Sequence, residues 1–420
     1  MTSTPTPSQN LTRTNTTKMT IPKLDIYPPL INTPCPAATT LEDLLILWNC
    51  PSTGAITTRT SLPSGFPHDD TKNLYVFYDS SSHTVSSSTN PSSPSSATPT
   101  HNATLNSLGY SPLPLQTYLN FIQTITTFHP PPPPPNNNNN GRSSSRSKTI
   151  IISVTGSAED VAQCYLHIAR LQSVLFLSTS LSFGVKVAME INLSCPNIPH
   201  HPPPAYSRDA LIRYLDSLAG AIKAAEAEGL PRIPVGLKTP PYTYETQFLG
   251  LMEALEVSAS ASGAASLSTS TRNEKEKQEE EEEEEEEEEN KEPQCPISFI
   301  TATNTLGSCL AFTAFTPSTK DSTYSQEALP TELGTGGLAG APLHPLALGN
   351  VKTLRKMLDE RVEKLGHQIQ VIGVGGVLDA QGYRRMRMAG ADVVGLASGL
   401  LLKGVKVFEE IEKGVGEGGW

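Results

Sequence analysis

No apolar run in this 420-residue chain approaches the ~20 residues that a membrane-spanning helix requires, so no membrane span is expected. No CxxC occurs, and the six cysteines (Cys35, Cys50, Cys164, Cys195, Cys295 and Cys309) show no paired spacing. That argues against a disulfide scaffold or a zinc site and for reduced thiols in a reducing compartment. Acids are missing from the first two dozen residues, where Arg13, Lys18 and Lys23 are the only charges. A transit peptide shares that lack but needs an amphipathic apolar face, which Met1 to Lys18 does not supply, so the expected location is cytoplasmic. There is no basic excess: the net charge is -11, and the 14 Glu and 3 Lys between Asn273 and Glu292 account for all of it. The rest of the chain is neutral, and nothing in it favours a nucleic acid.

What is present alternates between low-complexity tracts and foldable sequence. Residues 1–23 read as a disordered extension, and inserts are expected at about 79–102 (Ser, Thr and Pro), 129–148 (a proline run, then asparagines) and 257–293 (the glutamate run). The remainder of 24–415 amounts to about 310 residues, within the range of one α/β barrel. Strands are expected at Leu30 to Asn32, Ala55 to Arg59, Thr149 to Val154, Val187 to Leu193, Ile233 to Lys238, Pro296 to Thr303, Gln370 to Val374 and Asp392 to Leu396. Helical spacing separates them, with capping boxes read at Thr39-x-x-Glu42 and Ser157-x-x-Asp160. Gly334 to Gly340 reads as a glycine-rich loop, followed by a helix over about Leu346 to Leu365. Eight strands alternating with helices, each closing in polar or glycine residues, predict a closed parallel (β/α)8 TIM barrel. No G-x-G-x-x-G follows the first strand, which argues against an open dinucleotide-binding sheet.

In such a barrel the carboxyl ends of the strands share one face, so Arg59, Asn192, Cys195, Asn197, Lys238, Asn304, Gly375 and Ser398 converge although the sequence scatters them. The centre of this group is Glu190-Ile191-Asn192-Leu193-Ser194-Cys195-Pro196-Asn197, a strand ending in a thiol between two carboxamides. Cys195 there is either an ordinary buried cysteine or a group that moves a proton. Asn106, Asn192, Asn197 and Asn304 supply four carboxamides and no carboxylate, which suits a ring with alternating C=O and N–H groups, such as a cyclic ureide. Gly375-Gly376, and Gly399 after Ser398, fall where barrels hold a phosphate. Lys238 serves either a structural ion pair or the negative charge of a cofactor ring. Hydride chemistry needs such a cofactor, because no side chain carries it.

Five motifs in order, Asn192-Leu193-Ser194-Cys195-Pro196-Asn197, Lys238-x-Pro-Pro-Tyr242, Asn304-Thr305-Leu306-Gly307, Gly336-Gly337-Leu338-Ala339-Gly340 and Gly373-Val374-Gly375-Gly376, resemble the dihydroorotate dehydrogenase family. Cysteine at 195, where the membrane-associated class has serine, resembles the soluble fumarate-reducing class. The resemblance implies FMN as cofactor, touched by Asn192, Lys238, Gly340, Gly375, Gly376, Ala397 and Ser398. It implies oxidation of (S)-dihydroorotate to orotate in pyrimidine biosynthesis, with fumarate as acceptor and a homodimer. Cys195 is then the base at C5 while hydride leaves C6, and Lys238 stabilises the flavin. Arg59, Asn106, Asn192, Asn197, Asn304 and Thr305 bind the substrate, and no metal is involved.

Three departures from the family pattern stand out: Arg59 stands for lysine, Asn32-Thr33-Pro34 for a smaller turn, and Gly395 and Ala397 for a polar residue and a glycine. Two alternatives therefore stay open, a flavin oxidoreductase acting on another cyclic ureide or enoate, and a catalytically silent barrel that binds partners through its inserts.

Overall fold

The computed structural model describes residues 21–85, 97–129, 148–177, 185–198, 202–264, 293–313, 327–416 and 419–420. Most of the N-terminal extension and the centres of the three expected inserts lie outside the described residues.

Eight strands close the barrel: β1 (Leu30–Asn32), β2 (Ala55–Thr57), β6 (Thr149–Val154), β7 (Lys186–Asn192), β8 (Val235–Thr239), β9 (Phe299–Ala302), β12 (Gln370–Val374) and β13 (Val393–Leu396). Every pairing is parallel, and Leu30 of β1 lies opposite Val394 of β13, which shuts the cylinder. The (β/α)8 barrel expected from the alternation is thus the fold. Strand β6 shows why its sequence is a continuous apolar run. Ile150, Ile152 and Val154 face the helices with Tyr165 and Ile168, whereas Ile151 fills the barrel with Ala188, Phe299, Ile372 and Val393. Each such side chain, fully buried, contributes about 1.5–3 kcal/mol. Gly236 is part of this interior packing, because a Cβ there would run into the Phe299 ring.

The helices are α1 (Leu41–Trp48), α2 (Leu115–Phe128), α3 (Ala158–Leu177), α4 (Arg208–Ala227), α5 (Glu245–Ala264), α6 (His344–Asp359), α7 (Val362–Leu365), α8 (Ala380–Met388), α9 (Ser398–Lys403) and α10 (Lys406–Val415). The box expected before α1 is displaced by one residue: Thr40 accepts from the Asp43 N–H, and the Asp43 carboxylate accepts from the Thr40 N–H. Aspartate has the shorter reach, yet it closes the same reciprocal pair that glutamate was expected to close. At Ser157 and Asp160 the reciprocal bonds form as expected. At the other end of α1, the buried Lys148 ammonium donates to the carbonyls of Leu47 (3.0 Å), Trp48 (2.8 Å) and Cys50 (2.8 Å), taking up acceptors that the last helical turn leaves open. The helix expected over Leu346 to Leu365 begins at His344 and is interrupted after Asp359.

The sequence reading omits a second sheet. Strands β3 (Tyr75–Asp79), β4 (Thr84–Val85), β5 (Ala103–Asn106), β10 (Leu306–Leu310) and β11 (Thr335–Gly340) form a five-stranded antiparallel sheet in the order β10-β11-β5-β3-β4. Gly334 to Gly340 is therefore largely strand, not loop. The insert placed at 79–102 likewise begins inside a hairpin, with Asp79 paired to Thr84. The insert placed at 257–293 begins on α5, which continues to Ala264.

Candidate active site

The second sheet roofs the carboxyl ends of the barrel strands and encloses two adjoining cavities. The first, about 690 Å³ including its open mouth, is lined by Arg59, Asn106, Asn192, Cys195, Asn197, Lys238, Asn304 and Thr305. The second, about 460 Å³, is lined by Gly340, Gly375, Gly376, Ala397 and Ser398. Lys238, Asn304, Thr305, Ala397 and Ser398 border both. Every site residue named from the sequence thus faces one or both cavities, at the barrel end where such sites form.

The carboxamides are held in one sense by backbone groups, which removes the usual ambiguity between their O and N. Asn192 Oδ1 accepts from the Ser194 N–H (3.3 Å), and Asn304 Oδ1 from the Thr305 N–H (2.8 Å). Asn106 Oδ1 accepts from the Leu108 N–H (3.2 Å) while its Nδ2 donates to the Gly337 carbonyl (2.8 Å). Asn197 Nδ2 donates to both the Leu108 carbonyl (3.0 Å) and Asn106 Oδ1 (2.8 Å). Asn304 Nδ2 spends both hydrogens on Asn192 Oδ1 (3.3 Å) and Ser194 Oγ (2.9 Å). What remains for a ligand is one N–H each from Asn106 and Asn192 and the carbonyl oxygen of Asn197: two donors and an acceptor around one opening.

Charge in the site is of one sign. Arg59 and Lys238 are the charged residues lining the cavities, and no carboxylate joins them. Lys238 is only 5% exposed, and among the described residues no carboxylate pairs with it. Arg59 is 8% exposed, with its Nη1 3.4 Å from Thr39 Oγ1 and its Nη2 buried without a partner. A buried, unsatisfied guanidinium N–H beside an unpaired ammonium defines a place for an anion.

Two thiols border the larger cavity. Burial pushes Cys35 up to about 12, which leaves it a neutral thiol. Burial also raises Cys195 above its ordinary value, but the Asn197 backbone N–H and the charges of Lys238 and Arg59 oppose it. At Cys35 the Ala37 backbone N–H, Arg59 and Lys238 oppose burial in the same way, so both thiols have groups placed to stabilise an anion, and what sets Cys195 apart is its place between the ligand-facing carboxamides Asn192 and Asn197.

The glycine side is shaped to hold a group close to backbone. Gly376 has φ +68°, and a Cβ there would lie 2.6 Å from the Gly340 carbonyl oxygen and 2.6 Å from His344 Cβ. His344 Nδ1 donates to the Gly375 carbonyl (2.7 Å), a direction fixed because Arg385 Nε donates to its Nε2 (3.0 Å). Thr104 of the roof bonds Ser398 Oγ at 3.0 Å and so ties sheet to barrel at the border of the two cavities.

Sequence reasoning missed Thr60, Tyr75, Thr104 and Tyr110, which also line the larger cavity. Tyr75 and Thr104 belong to the roof strands β3 and β5 on either side of the insert expected at 79–102. Thr60 sits beside Arg59 just after a strand, a signal that was available.

Fold and site together define a parallel (β/α)8 barrel with a roofed, cationic, amide-lined cavity at its mouth. The family model described as Dihydroorotate dehydrogenase matches residues 62–418. The chain belongs to the dihydroorotate dehydrogenase family. A dihydroorotate dehydrogenase (fumarate) of Saccharomyces paradoxus is 25% identical over 224 residues, 53% of this chain and 52% of that protein, so the chain spans about half the length of that relative. A dihydroorotate dehydrogenase (quinone) of Bordetella avium is 40% identical over 87 residues, 20% of this chain and 23% of that one. The crystal structure of a ligand-free type DHODH from Eimeria tenella superposes with a TM-score of 0.53 at 14% identity, covering 92% of this chain and 82% of that chain, a likeness of fold.

Proposed function

We propose that this chain binds FMN and oxidises (S)-dihydroorotate to orotate, with fumarate as the final acceptor. The observation that carries the reading is the match between the free groups of the site and that substrate. Two uncommitted carboxamide N–H groups and one uncommitted carboxamide oxygen face a ring of alternating C=O and N–H, and the unpaired Arg59 Nη2 faces its carboxylate.

FMN, when bound, supplies the two-electron acceptance that no side chain offers. The smaller cavity and its glycines fit the phosphate end, since Gly340, Gly375 and Gly376 keep side chains out of it. Lys238, bordering both cavities with no acid among the described residues to neutralise it, fits the electron-rich edge of the ring. Ala397 and Ser398 complete the cofactor side, and Asn106, Asn192, Asn197, Asn304 and Thr305 the substrate side, Asn192 lining the larger cavity alone. Cys195 takes the proton from C5 through Sγ, and Lys238 and Arg59 favour the thiolate that does so. The roof excludes water from this transfer.

Arg59 favours a second reading, oxidation of another carboxylate-bearing cyclic ureide or enoate, because its fork spans more space than a lysine. Anaerobic titration of the purified protein with dihydroorotate decides between them. Bleaching of the flavin band, and its return on adding fumarate, supports the proposal. A yellow protein that dihydroorotate leaves unbleached overturns it in favour of the second reading. The proposal carries a homodimer with it, which sedimentation of the same sample tests.

A further inference from the structure

Glu190 lies two residues before Asn192 on β7, so it points into the barrel one layer beneath the site, and it is 1% exposed. Among the described residues no cation pairs with it. Its Oε1 accepts from Ser153 Oγ at 2.9 Å and its Oε2 from Thr301 Oγ1 at 2.8 Å. A carboxylate is costly to bury and is retained here by two hydroxyl donors from β6 and β9.

The direction of the bonds above it follows from counting protons. Ser153 has one hydroxyl proton and gives it to Glu190. In the 2.9 Å bond between Thr60 Oγ1 and Ser153 Oγ, Thr60 is therefore the donor. Thr60 has then spent its own proton and can only accept, and Asn192 Nδ2 donates to it at 3.0 Å. That requires Asn192 Oδ1 to point the other way, where it receives Ser194 Oγ (2.9 Å) and Asn304 Nδ2 (3.3 Å). The Ser194 N–H fixes the same orientation independently. Both ends of the chain of bonds agree.

We propose that Glu190 is a positioning residue that sets the donor direction of the site. It acts through Ser153 and Thr60 to hold Asn192 with its remaining N–H toward the ligand and its oxygen toward Asn304. This rests on the proposed function for the identity of that ligand, a cyclic ureide carbonyl. Replacing the carboxylate by an amide puts an N–H against Ser153 or Thr301; on the Ser153 side the Ser153 proton loses its acceptor, and if it turns to Thr60 the Thr60 proton loses its own, so the bonds that hold Asn192 no longer run in one sense.

The test uses the FMN-loaded full chain and the variants Glu190→Gln, Ser153→Ala and the two combined, titrated with orotate while the flavin absorption is followed, with the FMN dissociation constant measured on the same samples. Each single variant is expected to weaken orotate about tenfold, with FMN affinity changed less than about threefold. The double variant is expected to be no weaker than the worse single one, because both break one chain of bonds. Effects that multiply, or an unchanged orotate affinity in Ser153→Ala, overturn the proposal. So does a Glu190→Gln protein in which FMN and orotate weaken equally, since a merely structural carboxylate gives that result. Should Glu190→Gln fail to fold, Ser153→Ala alone decides by the same split between orotate and FMN. A wild-type flavin that responds to neither orotate nor dihydroorotate removes the proposed function and this role with it. A responsive wild type with unaltered variants removes only the role of Glu190.

Discussion

Asn197, just past the central barrel strand, donates to Asn106 at the end of a roof strand across 2.8 Å, so one hydrogen bond joins barrel and roof inside the cavity itself. Asn197→Ala leaves Asn106 Oδ1 with the Leu108 N–H alone and removes the acceptor offered to the ligand. We expect KM for dihydroorotate to rise ten- to a hundredfold, equivalent to about 1.4–2.8 kcal/mol, with FMN retained. Steady-state kinetics on the yellow variant check this.

Cys195 predicts the pH dependence. Its thiol is raised above the ordinary value, so at neutral pH only a fraction is thiolate, and that fraction grows about tenfold per pH unit until the pKa is reached. The rate of anaerobic flavin bleaching by dihydroorotate should therefore climb from pH 6 to 9. Cys195→Ser, with a less acidic hydroxyl, should move the rise further to alkaline pH, and Cys195→Ala should keep FMN while losing most of the rate. A flat profile in the wild type excludes the thiol as the base.

Gly376→Ala places a methyl 2.6 Å from the Gly340 carbonyl oxygen at a residue with φ +68°. Strain of about 1–3 kcal/mol or a shift of the loop follows. The expected product is a folded protein that elutes pale, with FMN affinity reduced tenfold or more, as read by fluorescence of the released flavin.

Lys148→Met removes the buried donor shared by three carbonyls at the end of α1, of which Leu47 and Cys50 keep weaker donors and Trp48 loses the one given to it. A loss of about 2–4 kcal/mol is expected, seen as a thermal midpoint lower by several degrees. Turnover at low temperature should be unchanged, because Lys148 lines neither cavity.

Removal of residues 273–292 deletes the whole net charge and should leave activity near that of the full chain. Gln294, just after this segment, is anchored by its N–H to the Ala259 carbonyl (3.1 Å), so the return point of the chain is fixed by the folded body. Loss of folding in this variant contradicts the expectation.

The barrel was legible because parallel strands buried on both faces read as apolar runs, Thr149 to Val154 above all, and because polar residues recur at their carboxyl ends. The roof was not. Strand β11 is Thr-Gly-Gly-Leu-Ala-Gly, whose glycines carry no strand propensity and are there because the structure is crowded. A Cβ at Gly337 would collide with Thr305, and Leu338 finds its partner in Leu105, far back in the chain. Pairing set by such distant contacts leaves no local period to read. Glu190 was equally hidden, since a glutamate in a strand gives no sign of being held by hydroxyls on two neighbouring strands.

The roof also orders events in time. Asn106 reaches its acceptor, Gly337, across 231 positions, and Leu30 meets its strand partner only at Val394. A nascent chain released as far as residue 300 already carries Arg59, Asn106, Asn192, Cys195, Asn197 and Lys238, yet it lacks both the strand that completes the roof and the strand that shuts the cylinder. The site therefore takes its shape only after β11 and β13 have been made, and a ribosome stalled before β11 holds the residues of the site without that shape.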